Sequence, residues 1–186
     1  EDGDGLLLDG NGNGTGGDGF GYTFRGDVSD ASPGTFYGTG QDIQSGFNTN
    51  SKDVAIGDIN GDGELDAVVT TFGSGRDNVL WLGAGDGTFT NAEAAIGEYG
   101  EDVALGDLDG DDDLDIVFAR IFGNPNEVYR NNGDGTFTLI GTLGTLGTPA
   151  VALGDVDNDG DLDVVFANGD SSAQPNTVHL NNGDGT

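Results

Sequence analysis

The chain has 186 residues and sets 34 acidic side chains against 5 basic ones, a net charge of −29. It has almost nothing with which to neutralise phosphates, which argues against nucleic acid and anionic membrane surfaces as partners. It has no Cys, which excludes a disulfide scaffold and a Cys-based zinc site. No apolar run approaches the length of a membrane span.

The length suits one domain with a sizeable core. An apolar content of 34% with 37 glycines reads as many short strands joined by tight turns. No signal-peptide pattern is present, so export would depend on a targeting segment outside this sequence.

Residues 1–50 read as a degenerate or partial copy of the unit that follows. Leu6-Leu7-Leu8 suits an inner strand, and Gly34-Thr35-Phe36 echoes a landmark found later. A Gly/Asn-rich insertion, Asp9–Gly19, lies between them, and a flexible linker is the alternative reading. Arg25-Gly26-Asp27 spells an integrin-recognition tripeptide, read as a coincidence of composition. Asn13-Gly14-Thr15 is a glycosylation sequon.

From there the chain repeats. Asp53-Val54-Ala55-Ile56-Gly57-Asp58 returns as Asp102-Val103-Ala104-Leu105-Gly106-Asp107, then as Ala150-Val151-Ala152-Leu153-Gly154-Asp155. Gly85-Asp86-Gly87-Thr88-Phe89 returns as Gly133-Asp134-Gly135-Thr136-Phe137, then begins again at Gly183-Asp184-Gly185-Thr186. Two landmarks locked in phase mark a repeat of about 48 residues.

Each repeat predicts four strands. In residues 51–99 these are Val54–Gly57, Leu65–Phe72, Asn78–Leu82 and Thr88 to about Ala95. In 100–147 they are Val103–Gly106, Leu114–Phe122, Glu127–Arg130 and Thr136–Leu143. In 148–186 they are Val151–Gly154, Leu162–Ala167 and Thr177–Leu180, without a fourth. β-Branched residues crowd the second strands, and Asn-Gly or Asp-Gly turns precede the fourth. No amphipathic helix is evident. The expected fold is all-β: four-stranded antiparallel blades of a β-propeller, incomplete in this chain. Ala55, Ala104 and Ala152 are small enough to let neighbouring blades approach closely.

Between the first two strands of each repeat lies an acidic loop. The first offers Asp58, Asn60, Asp62, Glu64 and Asp66 at its odd positions. The second offers Asp107, Asp109, Asp111, Asp113 and Asp115, and the third Asp155, Asp157, Asp159, Asp161 and Asp163. Ca²⁺ takes about six to eight oxygens at roughly 2.3–2.6 Å. Alternate side chains can all face one ion if the chain curls, and a Gly at position 6 permits the curl. Position 7 would lend its carbonyl. Asp112 stands where the other loops have Gly63 and Gly160, and Asp tolerates positive φ better than most residues. Clustered carboxylates repel unless a cation neutralises them. The expected cofactor is therefore Ca²⁺, about three ions. Mg²⁺ demands stricter geometry, and zinc lacks its usual His or Cys.

The run Asp-Val-Ala-Leu-Gly-Asp-Leu-Asp-Gly-Asp-Asp-Asp-Leu-Asp-Ile-Val-Phe, followed by Asn-Asn-Gly-Asp-Gly-Thr-Phe, resembles FG-GAP/VCBS repeats over about residues 51–186. Such repeats occur in integrin α-subunit propellers and in many exported bacterial proteins. The resemblance implies calcium in the loop between the first two strands of each blade, and an extracellular or cell-surface setting. It leaves the final role open. The leading expectation is a non-enzymatic structural or adhesive segment, partnered by neighbouring blades or copies of the same chain. Alternatives are a lectin-like module for glycans or surface proteins, an accessory domain of a polysaccharide-active enzyme, and a filament-forming subunit. Trp81, Tyr129 and His179 share one third-strand position, read as inter-blade packing before sugar stacking. Variable loops, where a ligand would bind, are Gly73–Asp77, Gly123–Pro125 and Asn168–Pro175.

Overall fold

In a computed structural model of the chain, the described residues are Gly38, Gln41, Ile43 and 50–185, without 74–76 and 170–172. The chain divides into two compact units, Glu1–Thr39 and Gly40–Thr186. The readings of Leu6-Leu7-Leu8, Asn13, Arg25-Gly26-Asp27 and Gly34-Thr35-Phe36 fall outside the described residues.

The described residues form strands and no helix. The first sheet is β1 (Asn50–Gly57), β2 (Asp66–Phe72), β3 (Asp77–Gly83) and β4 (Phe89–Glu98). The second is β5 (Asp102–Gly106), β6 (Asp115–Ala119), β7 (Asn126–Asn131) and β8 (Phe137–Leu143). The third is β9 (Ala150–Gly154), β10 (Asp163–Ala167) and β11 (Thr177–His179). Each sheet is an antiparallel meander in chain order, with four, four and three strands. This is the all-β, incomplete propeller that the repeat predicts.

Stacking explains the continuous apolar runs. β6 is buried along its whole length, and β2 along all but its last residue. A strand covered on both faces has no need of alternation. Ile59, Val68, Leu80, Val103, Ile116 and Phe118 form one core between the first and second sheets. Leu108, Val117, Val128, Val164 and Phe166 form the next, between the second and third. The other face of the first sheet buries Ala67, Val69, Val79 and Trp81 against Ile43 and Phe89. There Gln41 pairs its side-chain amide with both backbone groups of Phe89.

Two expectations are refined. The second strand of the second sheet ends at Ala119, before the predicted Phe122. The chain turns there, with Phe122 at φ 61° and Gly123 at φ 74°, and Arg120 gives its N–H to Asn126 Oδ1. Close approach between sheets is also seen at the glycines two residues beyond Ala55 and Ala104. A Cβ on Gly57 would stand 2.6 Å from Leu114 Cδ1, and one on Gly106 2.8 Å from Leu153 and Leu162.

Polar clasps add to this packing. Buried Asn131, at the end of β7, donates to Ile59 O of the preceding acidic loop at 2.8 Å. Asn181 repeats the bond to Leu108 O at 2.6 Å. Each also reaches the loop of its own sheet, at Leu114 O and Leu162 O. On the first strands, Val103 N donates to Asp53 Oδ2 at 3.2 Å and Val151 N to Asp102 Oδ2 at 2.7 Å. The first sheet has Gly83 where the others have Asn131 and Asn181, and the third has Ala150 where the others have Asp53 and Asp102.

Replacing Asn131 with Ala strands buried loop carbonyls. Unfolding in urea should show a loss of about 1–3 kcal/mol. The exposed neighbour Asn132→Ala should stay within about 0.5 kcal/mol. Equal losses in the two variants would remove the clasp from the stability of the fold.

Candidate metal centres

Each acidic loop is wound by its own carboxylates. At position 1, Asp58 accepts the N–H groups of Asp62 and Gly63 at 3.1 and 2.9 Å. Asp107 accepts from Asp111 and Asp112, and Asp155 from Asp159 and Gly160. At position 5, Asp62, Asp111 and Asp159 accept the N–H of position 7. Position 6 carries the positive φ that the curl requires: 89° at Gly63, 72° at Asp112 and 101° at Gly160. Asp112 adopts the conformation expected of it.

Position 9 ties the loop to the sheet. Asp66, Asp115 and Asp163 are fully buried. One oxygen of each accepts an N–H from loop position 2: Ile59, Leu108 or Val156, at 2.8–2.9 Å. The other accepts from the end of the third strand or from two residues beyond it: Gly83, Asn131 or Asn181, again at 2.8–2.9 Å.

Position 7 behaves differently. The carboxylates of Glu64, Asp113 and Asp161 lie over the first glycine of the hairpin that leads to the fourth strand. A Cβ there would meet them at 2.2 Å on Gly85, 2.6 Å on Gly133 and 2.8 Å on Gly183. The side chains of these three residues are thus turned to the hairpin.

Oxygens of Asp107, Asp109 and Asp115 come within 4.8 Å of one another, as do those of Asp155, Asp157 and Asp159. Asp111 and Asp163 stand outside these two triads. The first loop has Asn60 at position 3, whose amide donates to Asp62 Oδ2 at 3.0 Å. The donor set is oxygen throughout, and it fits a hard cation. Asp109 Oδ1 supports the fit directly, because it is buried with no hydrogen-bond partner. Such an atom costs about 1–3 kcal/mol unless something meets it.

Electrostatics point the same way. Asp109 is held above the ordinary carboxylate range by burial, then by the charges of Asp111 and Asp107. Asp157, although exposed, is raised by local desolvation within the carboxylate cluster and by the charges of Asp159 and Asp163. Burial pushes Asp115 up to about 6 against the pull of its two N–H donors. Its counterpart Asp163, with equivalent donors, is lowered by them. The difference follows from the neighbouring sheet. The hairpin of the third sheet lies on the second loop, where a Cβ on Gly185 would stand 3.7 Å from Asp109 Cβ, whereas residues 155–160 of the third loop are exposed.

Sequence reasoning missed Asp53, Asp102, Asn131 and Asn181 as elements of the design. A signal for the asparagines was present in the Asn-Asn-Gly-Asp-Gly-Thr run at both 131 and 181. The shared third-strand position expected for Trp81, Tyr129 and His179 is confirmed by register with Ala67, Ile116 and Val164. Trp81 is buried, Tyr129 packs edge-on to Phe118, and His179 packs edge-on to Phe166.

Asp102 is also pushed up to about 6, by burial and then by a hydrogen bond with Asp53. Its ordinary unfolded value is about 3.9, so the neutral form is the stabilised one. That stability is complete below about pH 4 and is lost as pH rises through about 6. Asp115 has the same sign. The lowered Asp134 and Asp163 act below their ordinary range, outside this window. The cation-free chain should therefore resist urea better at about pH 5 than at about pH 7.5. Asp102→Asn should narrow that difference. A urea midpoint that rises steadily from pH 5 to 7.5 would contradict the assignment.

The family model described as FG-GAP-like repeat matches residues 58–118 and 107–166. Each match starts at the head of an acidic loop and runs into the second strand of the next sheet. No curated protein matches the chain.

Proposed function

Because the chain belongs to the family of FG-GAP-like repeats, we propose that its three acidic loops bind Ca²⁺ and that the ions hold it folded as a structural or adhesive segment of an exported or cell-surface protein. The observation that carries this reading is the unpartnered, buried Asp109 Oδ1 inside a triad of carboxylates. In each loop, positions 1, 3, 5 and 9 supply side-chain oxygens and position 7 a carbonyl. Bound Ca²⁺ would offset part of the loop's negative charge and fix its curl.

The choice of ion rests on chemistry. An oxygen-only set on a flexible, Gly-rich loop suits Ca²⁺ better than Mg²⁺, which keeps its waters and demands a near-ideal octahedron. Weak sites of this kind fill at the calcium levels found outside cells, on the order of 10⁻⁴–10⁻³ M in affinity. A non-enzymatic role is favoured because the clustered carboxylates are committed to the loops. The single His of the chain is packed against Phe166. Partners would be neighbouring blades, copies of the chain, or surface proteins and glycans reached through the variable loops.

Calorimetric titration of the EDTA-stripped chain should find about three Ca²⁺ bound, with the melting temperature rising as the sites fill. Asp109→Ala and Asp157→Ala, which remove the position-3 oxygen that Asn60 still supplies in the first loop, should each remove about one equivalent. Equimolar Mg²⁺ should not substitute. No uptake, or uptake with unchanged melting and circular dichroism, would overturn calcium-coupled stability.

A further inference from the structure

One line of hydrogen bonds runs through all three acidic loops. Asp66 Oδ2 accepts the N–H of Ile59, and Ile59 O accepts from the side-chain amide of Asn131. The backbone N–H of Asn131 donates to Asp115 Oδ1, whose other oxygen accepts the N–H of Leu108. Leu108 O accepts from the side-chain amide of Asn181, whose backbone N–H donates to Asp163 Oδ1. The line ends where Asp163 Oδ2 accepts the N–H of Val156. No link exceeds 2.9 Å.

Each asparagine holds two loops at once. The side-chain nitrogen of Asn131 donates to Ile59 O of the first loop and to Leu114 O of the second. Asn181 does the same for Leu108 O of the second and Leu162 O of the third. Both asparagines are buried, as are Ile59 and Leu108. Water is kept from replacing a broken link there. A loop that shifts must therefore carry the amide with it or leave a buried polar group unpaired. Hydrogen bonds in a chain also polarise one another. The line starts at the first loop because Gly83, at this position in the first sheet, has no side chain to reach further back.

We propose that Asn131 and Asn181 are coupling residues, through which filling one loop raises the calcium affinity of the next. The proposal rests on the calcium reading above and adds communication between the sites. The element with two arrangements is the head of each loop. Curled, its position-1 carboxylate collects the N–H groups of positions 5 and 6, and its position-2 carbonyl meets the asparagine amide. Uncurled, it leaves that amide unmatched. A cation at either loop favours the curled form, and the shared asparagine is then already seated for the other. The effect is reciprocal by linkage. It passes from the first loop to the third only through the second.

The test titrates the whole EDTA-stripped chain with Ca²⁺ at a temperature where circular dichroism shows its strands intact. Native mass spectrometry counts the ions on each molecule. The NMR amide signals of Gly63, Asp112 and Gly160 report the three loops separately, since each donates to the position-1 carboxylate of its own loop. At half saturation, partly filled molecules should be scarcer than independent filling gives. Asp109→Ala, in the middle loop, should weaken both outer loops by about fivefold or more. In an Asn131→Ala chain the same change should leave the affinity of the first loop unaltered and still weaken the third. An asparagine that merely supported the fold would lower affinity without removing that dependence. The distribution of filled species in the unmutated chain decides the matter even where Asn131→Ala does not fold. Uptake with the statistical distribution would overturn the coupling and leave calcium binding intact. So would an effect of Asp109→Ala on the first loop that survives Asn131→Ala. No uptake at all would overturn the calcium reading and the coupling together.

Discussion

The buried aspartate at loop position 9 is the constraint on which the rest of the structure depends. Asp66, Asp115 and Asp163 each bridge the start of an acidic loop and the end of a third strand through two backbone N–H groups. A buried carboxylate is costly unless it is hydrogen-bonded and its charge is answered. The N–H donors satisfy the oxygens but do not cancel the charge, and the loop brings further carboxylates beside it. A cation at the loop would answer both. The same residue therefore sets the hairpin geometry and adds to the charge that a bound cation would offset.

Coupling between sheets follows from where the loop sits. Its position-2 residue is both a core side chain and a carbonyl for the next sheet. Ile59 and Leu108 are buried, and their carbonyls receive Asn131 and Asn181. The order of each loop is thus linked to the seating of the following sheet. Each sheet depends on its neighbour for the burial of its apolar face, the nearest-neighbour pattern of repeat proteins. At the other end of the sheets, buried Arg120 joins Glu98 of the first sheet to Glu127 of the second and lies over the Tyr99 ring. A lone cation buried among anions in this way costs less than it would in an apolar core.

Much of this was legible in the sequence because it is local or periodic. The loops, the turns with positive φ and the four-strand meander are written in spacings of a few residues, and the repeat writes them three times. The shared position of Trp81, Tyr129 and His179 followed from phase alone. What was not legible depends on contacts between repeats. The glycines at 57 and 106 stood only as the last residues of the first strands, with no sign that neighbouring leucine side chains fill the space beside them. Glu64, Asp113 and Asp161 read as loop residues, with no indication that their side chains cover the hairpin glycines. Strand ends also moved: β6 stops at Ala119 because Asn126 captures the N–H of Arg120, a bond that residue types alone do not reveal.

Acidity has a second consequence beyond the loops. Three dications would offset only about a fifth of a net charge of −29. The remainder gives a strong negative potential that concentrates cations near the surface and discourages contact with other polyanions. It also opposes compactness through self-repulsion, most strongly at low ionic strength. Monovalent salt screens that repulsion everywhere, whereas a dication at a loop acts on the few carboxylates held within a few ångströms of one another. The two effects are separable in principle: screening should relieve the exposed third loop more than the covered second one, where Asp109 and Asp115 lie beneath a neighbouring sheet and mobile ions have least access.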